Sequence, residues 1–384
     1  MQRAPINPDL LRWARERAGL EIADISQRFP KLGEWEAGER LPTLRQVEAF
    51  ARAVHVPVGY LFLREPPEEP LPIPDFRTLA SRGVGRPSPN LLDTLYACEE
   101  RQAWFREHAQ MTGQAGHDYV GSVGVATPPE AAAKTIRKAL GIEVEGRRAC
   151  QNWSEALRLF IRQADAAGIL VMVSGVVLNN NRRPLDPEEF RGFALADPLA
   201  PLVFINGADT KAAQMFTLAH ELAHLWLGAS GLSDVSAAGS PDGQREEVWC
   251  NRVAAEILAP RAQVRAELHS DEALEATLQR LTRTFKVSSL VVLRRLLDVG
   301  HLDRATFEQA WDKELDRVRD LARQGSGGGD FYRTTMARVS PRFARALVVS
   351  TLEGQTLYRD AFRMLGVKKT STFNELGRQA GVMW

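Results

Sequence analysis

The sequence predicts a mostly helical α+β fold with a small antiparallel sheet, divided among more than one domain. At 384 residues the chain is longer than one hydrophobic core usually organises. Apolar residues at helical spacing fill most of it, and runs rich in β-branched residues are confined to residues 168–207. A stretch with five prolines in eleven residues, 64–74, separates a first helical block from the rest and predicts a stiff linker.

Composition argues against several classes of protein. The net charge is +1, with 44% apolar and 25% charged residues, as in ordinary globular proteins. No run reaches the roughly 18 apolar residues that a membrane span needs, and the charged N-terminus does not resemble a leader peptide. The three cysteines form no CxxC pair. We therefore expect a cytoplasmic protein with no membrane partner.

The pattern predicts five segments along the chain. The first helical block covers residues 1–64, and a proline-rich linker covers 65–90. A helical connecting region, 91–165, leads into a segment at 166–302 that begins with strands and continues with helices. The last segment, 303–384, is helical and contains a glycine-rich break at 325–330.

The stretch FTLAHELAHLWLG, residues 216–228, contains the chain's strongest chemical signal. His220 and His224 stand at i and i+4, so both imidazoles of one helix can face a single Zn²⁺ ion. Glu221, between them, is placed to act as the general base on a water molecule. The helix is apolar nearly all round, and buried histidines need partners. Two satisfied core histidines beside a paired glutamate are the structural alternative.

A third ligand is required, and residues 245–260, REEVWCNRVAAEILAP, offer a helix that could supply it. Glu247 and Asn251 share a face at i and i+4, so Glu247 could ligate while Asn251 holds a ligand histidine by its other ring nitrogen. Glu246 competes, since it points nearer the centre of the apolar arc, and Glu256 is a further carboxylate on the same helix.

These two helices together resemble the ImmA/IrrE family of zinc-dependent metallo-endopeptidases, over about residues 165–300. The resemblance implies that His220, His224 and Glu247 are the metal ligands, that Glu221 is the catalytic base and that Asn251 supports the ligands. It also implies a zincin-like peptidase domain with one Zn²⁺ per chain, Mn²⁺ being the alternative ion. The implied substrate is a repressor- or antitoxin-like protein, in stress or mobile-element regulation.

The first block resembles the Cro/repressor-like helix-turn-helix domain, through LLRWARERAGL and WEAGERLPT. That resemblance implies DNA as a partner, with Arg28, Lys31 and Arg40 as the candidate contacts. The turn region is about four residues shorter than the family spacing, and Pro30 stands where the recognition helix should begin. Ten Lys or Arg against eight Asp or Glu over residues 1–64 is a weak charge for phosphate binding. Dimerisation or protein docking is the alternative role.

The C-terminal segment is amphipathic and moderately basic. Long chains of this type resemble one half of a toxin–antitoxin pair, which implies a toxin-like partner protein; the sequence is compatible with a dimer but does not set the oligomeric state. The main hypothesis is therefore a zinc endopeptidase coupled to a helix-turn-helix module. The alternative is a non-proteolytic DNA- or protein-binding regulator with a structural or vestigial zinc site. Arg252 is the one candidate that we name for stabilising the transition state of peptide hydrolysis.

Overall fold

We describe a computed structural model of the chain that covers residues 3–69, 71, 73, 87–233, 241–323 and 331–382. Contacts divide the chain into two compact units: Met1–Pro72 with Arg82–Leu95, and Ile73–Ser81 with Tyr96–Trp384. Much of the predicted linker and the whole glycine-rich break at 325–330 lie outside the described residues.

The first unit contains four short helices and a 3₁₀ helix: α1 Pro8–Arg17, α2 Ile22–Ile25, α3 Leu32–Glu36, α4 Leu44–Ala53 and the 3₁₀ helix Val58–Phe62. The side chain of Asn7 accepts a hydrogen bond at the start of α1, and Thr43 with Gln46 forms a capping box at the start of α4. In its core, Glu36 binds Arg15 in a buried bidentate ion pair, with nitrogen–oxygen distances of 2.8 and 3.0 Å. This pair ties α3, at five residues too short for stability of its own, to α1.

Fourteen α-helices of the described chain lie wholly or mainly in the second unit, which also contains a 3₁₀ helix, Val177–Asn179. Their bounds are α5 Pro89–Met111, α6 Pro129–Leu140, α7 Val144–Arg148, α8 Trp153–Ala166, α9 Lys211–Leu227, α10 Pro241–Leu258, α11 Arg261–Ala266, α12 Leu274–Phe285, α13 Ser289–Asp298, α14 Arg304–Arg323, α15 Phe331–Val339, α16 Pro341–Leu352, α17 Tyr358–Leu365 and α18 Thr370–Gln379. Among the described residues, no helix is both long enough and apolar enough to cross a lipid bilayer.

The sheet of the second unit is mixed, which corrects the predicted antiparallel arrangement and leaves the α+β class confirmed. Its strands, in the order β1-β3-β2-β4, are β1 Leu170–Ser174, β2 Gly192–Leu195, β3 Leu202–Asn206 and β4 Gly231–Ser233. β2 is antiparallel to both neighbours, but β1 lies parallel to β3. The reason is the connection over residues 175–191, which returns the chain to the far side of β3 before β2 begins.

Both faces of this sheet are buried, so its residues alternate between two cores rather than between core and solvent. Val171, Val203 and Ala194 belong to the core that includes α8 and α9. On the opposite face, Met172 lies against Cys98 of α5, the amide of Gln102 donates to two backbone carbonyls beside β2 and β3, and α15 and α16 pack on β1. The predicted C-terminal helices therefore form part of a layer that covers the sheet.

Candidate metal centre

The helix α9 carries His220, Glu221 and His224, which together form an HExxH motif. Thr210 caps its first turn by accepting from the Ala213 N–H, and Gly228 ends it in the left-handed conformation, at φ 72°. Between these ends it packs against α8, α10, β2 and β3. His220, Glu221 and His224 have no exposed surface. Because other elements cover this helix on several sides, apolar residues occur all round it.

The C-terminal end of α10 is anchored by arginines of α6 and α7 that bind its last carbonyl groups, which have no partners inside the helix. Nη2 of Arg147 donates to the carbonyls of Ile257 and Leu258, at 3.2 and 2.6 Å, and Arg137 donates to that of Glu256. The side chain of Glu256 lies 3.3 Å from Arg295 and 2.9 Å from Arg261. These contacts fix the position of α10, so Glu256 has a structural role at its far end.

His220, His224 and Glu247 bring two ring nitrogens and one carboxylate group to one point. The Nε2 atoms of the two histidines lie 3.0 Å apart, and the Glu247 oxygens lie 3.2 Å from Nε2 of His220 and 3.1 Å from Nε2 of His224. A tetrahedral ion with ligand distances of 2.0–2.1 Å needs ligand atoms about 3.3 Å apart. The cluster therefore fits a divalent metal ion with three protein ligands.

Asn251 contacts this cluster from the next turn of α10. Its Oδ1 lies 3.1 Å from Nδ1 of His220. Because an amide oxygen can only accept, Nδ1 carries the hydrogen and donates it, which leaves the lone pair on Nε2 facing Glu247 and His224. Such a contact fixes the tautomer and the orientation of the imidazole.

The electrostatics of the cluster favour a cation. Burial would raise the pKa of Glu247, but the two imidazoles outweigh burial and lower that pKa to about 2. Burial would lower the pKa of His220, yet the nearby Glu247 carboxylate raises it overall. At His224 burial prevails and the pKa falls. Two imidazoles and a buried carboxylate that stays ionised together form a suitable ligand set for a divalent ion.

Gly192 of β2 is the site residue that the sequence reasoning missed. A Cβ atom built on it would lie 2.5 Å from Cγ2 of Thr217, 2.7 Å from the carbonyl oxygen of Phe204 and 3.2 Å from Oε1 of Glu221. The backbone of β2 thus runs directly over the carboxylate of the motif helix. A lone glycine inside an apolar strand pattern, as in FRGFAL, is the signal that could have revealed this close approach.

The other candidate residues lie elsewhere. Glu246 is half-buried and stands outside the cluster. Arg252 is exposed, and the turn of α10 places it about 140° round the helix axis from Glu247 and about 100° from Asn251.

The three candidate DNA contacts belong to the first unit. The guanidinium of Arg28 lies over the ring of Phe29, Lys31 precedes α3, and Arg40 pairs with Glu34 at 3.4 Å.

Comparisons with known proteins agree with this geometry. Residues 164–297 match a peptidase-family model described as IrrE N-terminal-like domain, a segment that includes all four strands and both helices of the metal centre. The match supports the ImmA/IrrE resemblance and a peptidase-like function at the level of the family. Residues 339–379 match a model described as a domain of unknown function. No curated protein matches the chain.

Replacing Glu247 should remove the bound metal, whereas the same change one residue earlier should not. Glu247→Gln withdraws the one negative charge from the cluster, and we expect stoichiometric metal to be lost on dialysis, as for His220→Ala. Glu246→Gln is the matched control, since Glu246 lies outside the ligand group. Inductively coupled plasma analysis of the three purified variants measures this. Retention of metal by Glu247→Gln together with loss by Glu246→Gln would reverse the assignment.

Replacing Asn251 should weaken metal binding without abolishing it. Asn251→Ala removes the acceptor that orients His220, and loss of such contacts typically lowers metal affinity about 10- to 100-fold. Asn251→Asp keeps an acceptor at the same place and should stay close to the wild type. Competition titration against a chromophoric chelator measures both affinities. Equal affinities for the alanine variant and the wild type would show that the contact has no orienting role.

An alanine at position 192 should disturb the motif helix. The added methyl group must displace Thr217 or the β2–β3 pairing, and overpacking of this kind costs about 1–3 kcal/mol of the free energy of unfolding. Gly124→Ala is the control, because a Cβ there meets no atom within 4 Å. Chemical denaturation followed by circular dichroism compares them. Equal stability of the two variants would show that β2 can move away from Glu221 without loss.

Proposed function

We propose that the chain is a zinc-dependent endopeptidase. The observation that carries the proposal is the joint placement of His220, His224 and Glu247 around one point, with Glu221 buried in the same turn of α9. This arrangement lies inside the segment that matches a peptidase-family model. The residue cluster and the family match are both independent of the composition of the chain.

Zinc is the ion that the ligand set favours. Two imidazole nitrogens and one carboxylate are the ligands of many catalytic zinc sites, which leave a fourth position open. When bound, Zn²⁺ supplies Lewis acidity that polarises the scissile carbonyl and favours ionisation of water. Mn²⁺ is the alternative ion, and metal analysis of protein purified without added metal distinguishes the two.

Glu221 is the residue that moves the proton. It stands next to His220 and one turn before His224 in α9 but is not a member of the ligand group, so we assign it the role of the base. In the proposed reaction it accepts a proton from the attacking water and returns it to the leaving amine nitrogen, as the peptide C–N bond breaks. The fixed β2 backbone at Gly192 limits where this carboxylate can point.

The proposed substrate is a repressor- or antitoxin-like protein, by resemblance to the ImmA/IrrE family. The first unit would couple cleavage to regulation, through DNA or through a docked protein. Its α3 has only five residues and buries three of them, Leu32, Trp35 and Glu36. That leaves little helix surface to enter a major groove, so protein docking is the better supported of the two roles.

A second candidate function follows from the burial of the site. The metal-ligand residues expose at most 2% of their surface, which suits a structural ion in a non-proteolytic regulator. The partners of such a regulator would be DNA or a toxin-like protein.

Glu221→Gln should abolish cleavage yet leave zinc bound. General acid–base catalysis contributes about 10²- to 10⁴-fold to the rate, and the glutamine keeps the shape of the side chain without a base. The measurement is cleavage of the product of a neighbouring gene, taken as the candidate repressor, followed by mass spectrometry, with metal content determined on the same samples. Glu246→Gln serves as the control for loss of one carboxylate.

Three outcomes separate the candidates. Cleavage by the wild type and by Glu246→Gln, but not by Glu221→Gln, supports the peptidase. Cleavage at the wild-type rate by Glu221→Gln would contradict the role of the glutamate. A stable complex with the repressor, zinc present and no fragments from any variant, would favour the regulator.

A further inference from the structure

A groove of about 580 Å³ lies on α10 away from the metal centre. One wall is the segment 125–129, and the other is formed by Arg245, Val248, Trp249 and Arg252. The indole N–H of Trp249 donates to the carbonyl of Thr127 at 2.7 Å. This bond joins the two walls, so the groove is already formed without a ligand.

The helical repeat places the groove-lining residues of α10 on a different face from Glu247 and Asn251. Residues 245, 248, 249 and 252 fall on one face, and Glu247 and Asn251 lie about 200° and 240° round the axis from Arg245. Arg245 and Arg252 are two turns apart, which is about 10 Å along the helix. An extended polypeptide covers that distance in about three residues. The two guanidinium groups therefore flank a length of groove that suits a short extended segment.

The charge of the groove is not balanced from within the described structure. Both arginines are exposed, and among the residues that the structure describes neither makes an ion pair or a side-chain hydrogen bond. Glu130, next to the wall segment, is engaged by Arg261 instead. The rest of the lining is apolar or neutral, with Val125 exposed at 47% of its surface. Guanidinium groups in such a setting fit carboxylates.

We propose that this groove binds an acidic, extended segment of a partner protein, with carboxylates on Arg245 and Arg252 and apolar side chains against Val125, Pro128 and Val248. The site goes beyond the proposed peptidase function, because it includes no residue of the metal centre. A nucleic acid fits less well, because two cations match few phosphates and Trp249, 5% exposed, offers no free ring face for a base.

The test is fluorescence anisotropy with the intact chain and a labelled peptide of glutamate, serine and leucine. The same peptide with every glutamate changed to glutamine is the comparison. We expect the glutamate peptide to bind more tightly, and to lose about tenfold or more in affinity with Arg245→Glu/Arg252→Glu, since like charges oppose each other there. Arg158→Glu/Arg162→Glu, which reverses two exposed arginines on α8, is the matched control and should bind as the wild type does.

Other outcomes would overturn the proposal. Equal binding of the two peptides, or unchanged affinity in the groove variant, would remove the groove as an acidic-segment site. Tighter binding of a single-stranded oligonucleotide that disappears with the same variant would assign the groove to nucleic acid. Glu221→Gln should bind the glutamate peptide like the wild type, so a failed groove and a failed peptidase remain distinguishable. Circular dichroism and metal content confirm that each variant is folded.

Discussion

The second unit depends on how closely α9 and α10 approach. One carboxylate on α10 must reach the imidazoles of two successive turns of α9, within about 3 Å of each. Ala254, a small buried residue on the face of α10 that carries Glu247 and Asn251, is compatible with this distance. Arg147 and Arg137 then hold the end of α10 by its carbonyl groups. Sheet, caps and buried arginines all serve to keep the two helices in register.

The part of the site that could be predicted from sequence is the part set by helical repeat. The i, i+4 spacing of His220 and His224 places both on one face, whatever surrounds the helix. The same reasoning favoured Glu247 with Asn251, and the structure brings both to the cluster. It could not choose between Glu246 and Glu247 without the resemblance, because neighbouring positions differ by only about 100° and the packing partner sets the phase.

What local pattern could not supply came from contacts distant in sequence. The direction of β1 depends on where the 175–191 connection returns, which no strand pattern encodes. Gly192 matters because its backbone lies close to the side chain of Glu221, a residue nearly thirty positions later in the chain. Asn179 donates to the carbonyls of Leu365 and Gly366, so the C-terminal helices contact the segment that matches the peptidase-family model through a loop without a regular sequence pattern. Such contacts follow from tertiary packing, which overrides local preference.

The cover that α15 and α16 provide for β1 has a consequence for the order of assembly. The ribosome completes the sheet and both metal-ligating helices before it makes α15 and α16, whereas α5, which lies on the same face, precedes the sheet. Until then, β1 lacks the part of its cover that α15 and α16 provide. An ion bound early in synthesis would therefore meet a centre whose supporting sheet is still partly open on one side.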